Sequence, residues 1–114
     1  MKLNHDLIRE LLLHIEEISD GNTNFPSNYF LKPLRHYPER FVTYHLKFLL
    51  DAGLIEGKNG YITDITPYGR NYLDNIRNET IWIKTKNRLQ PVGSVTLSVI
   101  SEVAKSFILS KLGL

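Results

Sequence analysis

The chain has 114 residues, of which 42% are hydrophobic and 23% charged, and a net charge of +2. These values are ordinary for one globular domain and exclude a low-complexity chain. The absence of cysteine excludes a disulfide framework or a thiolate metal site and favours a reducing environment. Neither a secretion signal nor an apolar stretch of the ~20 residues that span a membrane is found. We therefore expect a cytoplasmic protein with no membrane partner.

Charge is distributed unevenly along the chain. Residues 1–20 carry a net charge of −3, residues 21–50 of +3, residues 51–83 of −2 and residues 84–114 of +4. A basic stretch within a globular chain can indicate a nucleic-acid partner, although solvated surfaces also alternate in sign.

The N-terminal residues predict an amphipathic helix. Asn4 can cap it by accepting from the free N–H groups of the first turn, and Asp20-Gly21-Asn22 ends it. Between them, apolar side chains at spacings of three and four form one face: Leu7, Leu11, Ile15 and Ile18. Prolines and asparagines interrupt residues 21–37, so one short helix or strand is expected there.

A second helix is predicted over residues 38–53, because proline suits the first turn of a helix and glycine its C-terminal end. Helical periodicity separates its side chains into two faces. The predicted buried face holds Val42, His45, Leu46, Leu49 and Ala52. The opposite face is polar and holds Arg40, Thr43, Tyr44, Lys47 and Asp51.

A β-hairpin is predicted next. Residues 54–56 and 61–65 have the composition of short strands, and Asn59-Gly60 between them accepts the positive φ angles of a tight turn. Thr66-Pro67 then predicts the cap and first residue of a third helix, which ends near Arg77-Asn78.

Two further helices are predicted at the C-terminal end. Asn78 can cap a helix that runs to about Leu89, and Thr96 can cap the last one. The last helix has an unusually wide apolar stripe: Leu97, Val99, Ile100, Val103, Ala104, Phe107, Ile108, Leu109 and Leu112. Exposed apolar surface favours association, so a homodimer through the C-terminal helices is expected. The first helix of the same chain could cover the stripe instead.

The order of these elements predicts a fold that is mainly α with a small β-hairpin. We expect a winged helix-turn-helix domain at residues 1–77. A C-terminal helical extension at residues 78–114 would pack on it, dimerise, or do both.

Several motifs carry a family resemblance. They are YHLKFLLDAGLI at residues 44–55, ITDIT at residues 62–66 with Gly69, and YLD with Ile76-Arg77 at residues 72–77. The chain resembles a family of short uncharacterised winged-helix proteins that is widespread in bacteria and prophages, and the similarity extends over nearly its whole length. The resemblance implies the winged-helix fold, a regulatory role and a phage or prophage origin, and it transfers no catalytic residue.

A DNA-binding winged helix lays its recognition helix in the major groove and its hairpin near the DNA backbone. The expected partner is therefore double-stranded DNA. The candidate recognition residues on the second helix are Arg40, Thr43, Tyr44 and Lys47. The candidate contacts to the DNA backbone are Lys32, Arg35, Lys58 and Asn59. Asp51 and Glu39 would oppose DNA binding.

No pattern indicates an enzyme, a cofactor, a metal or a small-molecule substrate. The sequence has no nucleophile elbow, phosphate loop or paired-carboxylate motif. The four histidines, His5, His14, His36 and His45, lack a partner at metal-ligand spacing. His45 falls within the apolar row of the second helix, so a packed histidine bonded to backbone is expected, and Trp82 is likewise expected to be packed.

Two functions remain open. The first is a DNA-binding regulator, expected to be dimeric. The alternative is a protein-interaction module that uses the winged-helix fold without DNA, which the modest charge, Tyr44 and Leu50 would suit.

Overall fold

A computed structural model describes all 114 residues, which form two compact units, Met1–Arg70 and Asn71–Leu114. The helices are α1 (His5–Ile18), α2 (Glu39–Asp51), α3 (Pro67–Ile76), α4 (Glu79–Leu89) and α5 (Leu97–Lys111). The strands are β1 (Phe25–Pro26), β2 (Ile55–Lys58) and β3 (Tyr61–Ile65). The fold is therefore mainly helical with one small antiparallel sheet. None of the helices combines the length and the apolar character that crossing a membrane requires.

Helix α1 provides the centre of the first unit. Its predicted cap is confirmed, because the Asn4 side chain accepts a hydrogen bond from the Leu7 N–H at 3.0 Å. One face of α1 packs on α2 and on β3, and five of its side chains are fully buried: Leu7, Ile8, Leu11, Leu12 and Ile15. Burial of each such side chain contributes about 1.5–3 kcal/mol. This core holds α2 and the sheet in place.

Residues 21–37 contain both a strand and a helical turn, where the sequence predicts only one short element. β1 pairs antiparallel with β3, placing Phe25 opposite Ile62, and the sheet order is β1-β3-β2. A 3₁₀ turn, Ser27–Phe30, follows directly. The Ser27 N–H donates to the Gly60 carbonyl at 2.9 Å, and the Phe30 ring is fully buried. Pro26 fits β1 because an edge strand tolerates a residue without an N–H.

The end of α2 is a Schellman motif. Gly53 has φ +78°, its N–H donates to the Leu50 carbonyl at 3.2 Å, and the Leu54 N–H donates to the Leu49 carbonyl at 2.9 Å. Leu49 and Leu54 are both buried, which is the apolar contact that accompanies this motif. Gly53 stops the helix as predicted, although the last helical residue is Asp51, and the chain passes at once into β2.

The predicted hairpin is confirmed, with β2 shifted by one residue at its start. Asn59 and Gly60 have φ 55° and 82°, as a two-residue hairpin turn requires. The predicted cap of α3 is also confirmed. Thr66 Oγ1 accepts from the Gly69 N–H at 3.0 Å and donates to the Gly53 carbonyl at 2.6 Å. This second bond ties the start of α3 to the end of α2.

The second unit is built on α4 and α5, which pack against each other. Both predicted caps are confirmed: Asn78 accepts from the Ile81 N–H at 3.0 Å, and Thr96 accepts from the Val99 N–H at 3.2 Å. The Trp82 ring is buried, as predicted. By contrast, three side chains of the apolar stripe predicted for the last helix are exposed: Val99, Leu109 and Leu112.

Candidate functional site

The candidate site centres on the two faces of α2. Four of its side chains are buried: Val42, His45, Leu46 and Leu49. Ala52 is a correction, since it is exposed although the periodicity predicts it to be buried. The helix ends at Asp51 and the chain turns at Gly53, so that Leu54 takes the buried place beyond Leu49.

The polar face of α2 comprises Arg40, Thr43, Tyr44, Lys47 and Asp51, and each of these residues is exposed. At 1.5 Å per residue the row extends for about 16 Å along the helix. The Arg40 guanidinium carbon lies 5.3 Å from the centroid of the Phe41 ring. The Thr43 hydroxyl lies 3.2 Å from the carbonyls of Glu39 and of Arg40, so its proton is satisfied within the helix.

Lys47 and Asp51 form an ion pair on this face. Lys47 Nζ lies 2.8 Å from Asp51 Oδ2, and the two side chains are 77% and 66% exposed. The hydrogen bond to Asp51, together with its negative charge, raises the pKa of Lys47. Both groups are open to water and salt, so the pair can exchange partners readily. Arg40 is the other cation of the polar face.

The residues predicted to contact the DNA backbone lie at two other places in the first unit. Lys32 and Arg35 are exposed in the turn between the 3₁₀ turn and α2, where Arg35 Nη1 donates to the Lys32 carbonyl at 3.3 Å. Lys58 and Asn59 lie at the hairpin tip. Together with Asn24 and Tyr61 they line a depression of about 290 Å³.

Sequence reasoning missed the polar residues that β1 brings to the hairpin. Thr63 Oγ1 donates to Asn24 Oδ1 at 2.8 Å across 39 residues of chain, and Tyr61 is exposed beside Lys58. The asparagines of residues 21–37 predicted only a break in helical periodicity. Nothing in their spacing indicates a contact with the hairpin, because strand pairing is set by distant residues.

Glu10 joins α1 to the segment that precedes α2. Tyr37 Oη donates to Glu10 Oε2 at 2.7 Å, and His36 Nε2 lies 3.3 Å from Glu10 Oε1. Burial of the Tyr37 hydroxyl, reinforced by the bond to the Glu10 carboxylate, raises the pKa of this phenol. The cluster therefore links a neutral tyrosine, in the segment that precedes α2, to helix α1.

His45 is packed and bonded to backbone at both ring nitrogens, which confirms the prediction. Its Nε2 accepts from the Asn4 N–H at 2.8 Å, and its Nδ1 donates to the Phe41 carbonyl at 2.7 Å. A ring that donates at one nitrogen and accepts at the other is a neutral imidazole. No group of three or more His, Cys, Asp or Glu side chains is arranged to hold a metal.

Comparison with known proteins places the chain in a family. The chain belongs to the family described as "Hypothetical protein (DUF2513)", whose model matches residues 2–96. It is also similar to an uncharacterised protein of Haemophilus influenzae, with 32% identity over 117 residues that cover 95% of this chain and 96% of that relative. No solved structure matches the chain. Neither description names a ligand or a partner.

Proposed function

We propose that the chain is a cytoplasmic DNA-binding regulator of the winged-helix class. The element order supports this proposal: α1, β1, the 3₁₀ turn Ser27–Phe30, α2, then the β2–β3 hairpin. A strand between the first two helical elements that pairs with the inner strand of the hairpin is characteristic of winged helices. In this interpretation the 3₁₀ turn and the turns after it replace the first helix of the helix-turn-helix, and α2 is the recognition helix. The family resemblance of the sequence favours a regulatory role and a phage or prophage origin.

One observation carries the proposal. The α2 side chains opposite its buried face are all exposed, and they include two cations, a hydroxyl and a tyrosine: Arg40, Lys47, Thr43 and Tyr44. An α-helix has the width of the major groove, and an arginine can bind the O6 and N7 atoms of guanine with two hydrogen bonds. The hairpin begins four residues after the end of α2. Its tip, Lys58 and Asn59, would lie along the DNA backbone, as would Lys32 and Arg35.

The test is binding to random double-stranded DNA over a salt series, measured by fluorescence anisotropy. Each phosphate neutralised contributes about −0.9 to the slope of log K against log salt concentration. We expect a steep slope for the wild type and weaker binding for Arg40→Ala. Lys84→Ala on α4 removes one positive charge outside the first unit and serves as the matched control. Absence of binding at low salt would refute the proposal.

A protein-interaction module is the second candidate, favoured by the exposed tyrosines of the first unit. Tyr29, Tyr44, Tyr61 and Tyr68 are all exposed, and tyrosine is enriched at protein interfaces. Lack of DNA binding by a folded protein, combined with loss of a protein partner on Tyr44→Ala, would favour this function.

We also propose that the chain forms a homodimer through α5. Val99 and Leu109 are exposed on α5, and Leu112 lies at its C-cap. A second copy would cover these side chains symmetrically, as in most soluble homo-oligomers. Two recognition helices related by a two-fold axis would then require a palindromic DNA site.

A further inference from the structure

The charge that the polar face of α2 can offer to an anion is limited by its own carboxylate. Lys47 points its ammonium group at Asp51, with 2.8 Å between Nζ and Oδ2. Residues four apart lie on the same side of a helix, so any ligand that meets Lys47 also meets Asp51. As long as the pair is closed, these two residues present no net charge, and Arg40 is the remaining cation of the polar face.

Helix stability does not account for the carboxylate at this position. Asp51 is the last residue of α2, and the last turn contains no basic residue. The C-terminal end of a helix carries partial negative charge, which disfavours an acidic side chain there. A lysine that precedes its acidic partner is also the less favourable order for a helical pair. Finally, an ion pair this exposed is screened by water and salt and stabilises little.

We propose that Asp51 restrains sequence-independent binding of DNA by engaging Lys47. This inference rests on the proposed DNA-binding function. In the free protein Asp51 engages Lys47, and next to DNA it competes with the phosphates for the same ammonium group. Lys47 must exchange Asp51 for a phosphate or base before it contributes, so random DNA gains little from it.

The test compares Asp51→Asn with wild type on a random duplex of about 20 base pairs between about 50 and 200 mM salt. Asparagine keeps the size of the side chain and removes its charge. We expect Asp51→Asn to bind about threefold tighter or more at the lowest salt, with a salt slope steeper by about 1, because Lys47 becomes free to neutralise a phosphate.

Three further variants identify the cause of the effect. Asp74→Asn makes the same charge change on α3 and opens an equally short exposed ion pair, Arg77 Nη2 to Asp74 Oδ1 at 2.7 Å. We expect it to leave affinity and slope close to wild type. Lys47→Met should weaken binding and make the slope shallower, and the double variant Asp51→Asn/Lys47→Met should lose most of the gain of Asp51→Asn.

The outcomes separate this inference from the function on which it rests. An equal gain in affinity for Asp74→Asn would show that the effect comes from net charge alone. A gain in affinity that persists in the double variant would show that release of Lys47 is not its cause. Either result overturns the inference. An unchanged Asp51→Asn beside a weakened Lys47→Met overturns it and leaves DNA binding intact. If no variant binds DNA while circular dichroism shows all of them folded, both proposals fail.

Discussion

The buried and polar faces of α2 are held by different kinds of interaction. On the buried face, His45 makes two hydrogen bonds of 2.8 Å and 2.7 Å to backbone, one of them to a residue 41 positions away. On the polar face, Lys47 and Thr43 bond only to groups within four residues on the same helix. Removing a buried partner leaves a polar group without water, whereas an exposed group rebonds to solvent. We therefore expect substitutions on the buried face to cost more stability than substitutions on the polar face.

The largest effect is expected for His45→Ala. The substitution leaves a cavity and deprives the Asn4 N–H of its acceptor at the start of α1, so the free energy of unfolding should fall by about 3 kcal/mol. Urea denaturation measures it, with Thr43→Ala on the polar face as the control. A loss no larger than that of the control would show that the two faces do not differ in this way.

Gly53→Val tests the residue that stops helix α2. A β-branched residue resists the φ of +78° found there, and we expect a loss of about 2 kcal/mol. Space is not the reason, since a Cβ at Gly53 would meet no atom within 4 Å. Gly53→Asn should therefore cost clearly less, because asparagine tolerates the left-handed region. Equal losses for valine and asparagine would contradict a conformational cause.

Arg40→Ala and Lys47→Ala test whether the polar face of α2 contributes to DNA binding and not to stability. Both side chains are exposed, so we expect thermal unfolding curves that overlay that of the wild type while DNA binding weakens. Early melting of either variant with normal DNA binding would mean that these residues stabilise the fold.

The smallest effect on folding is expected for Leu109→Glu on α5, where the apolar stripe is only partly covered. The side chain is exposed, so the monomer should fold normally while self-association is lost. Sedimentation at micromolar concentration measures this. A wild-type chain that already sediments at 13.2 kDa, with no change in the variant, would exclude the dimer and the palindromic site.

Local chemistry allowed much of the fold to be predicted from the sequence. Each cap that was predicted, at Asn4, Thr66, Asn78 and Thr96, bonds to an N–H only three residues away. The glycine at the end of α2 and the Asn59-Gly60 turn are also local, because positive φ angles are favourable for few residue types. Helical periodicity then separated the polar face of α2 from its core.

The contacts between distant residues required the tertiary structure. β1 is two residues long and pairs with a strand about 36 positions further along the chain, so no local pattern could indicate it. Periodicity placed Lys47 and Asp51 on one face of α2. Their ion pair depends on the conformations of the two side chains, which composition and spacing do not determine. Likewise, the sequence predicted that His45 would bond to backbone but not that Asn4 would be its donor, because packing of α1 on α2 decides which groups meet.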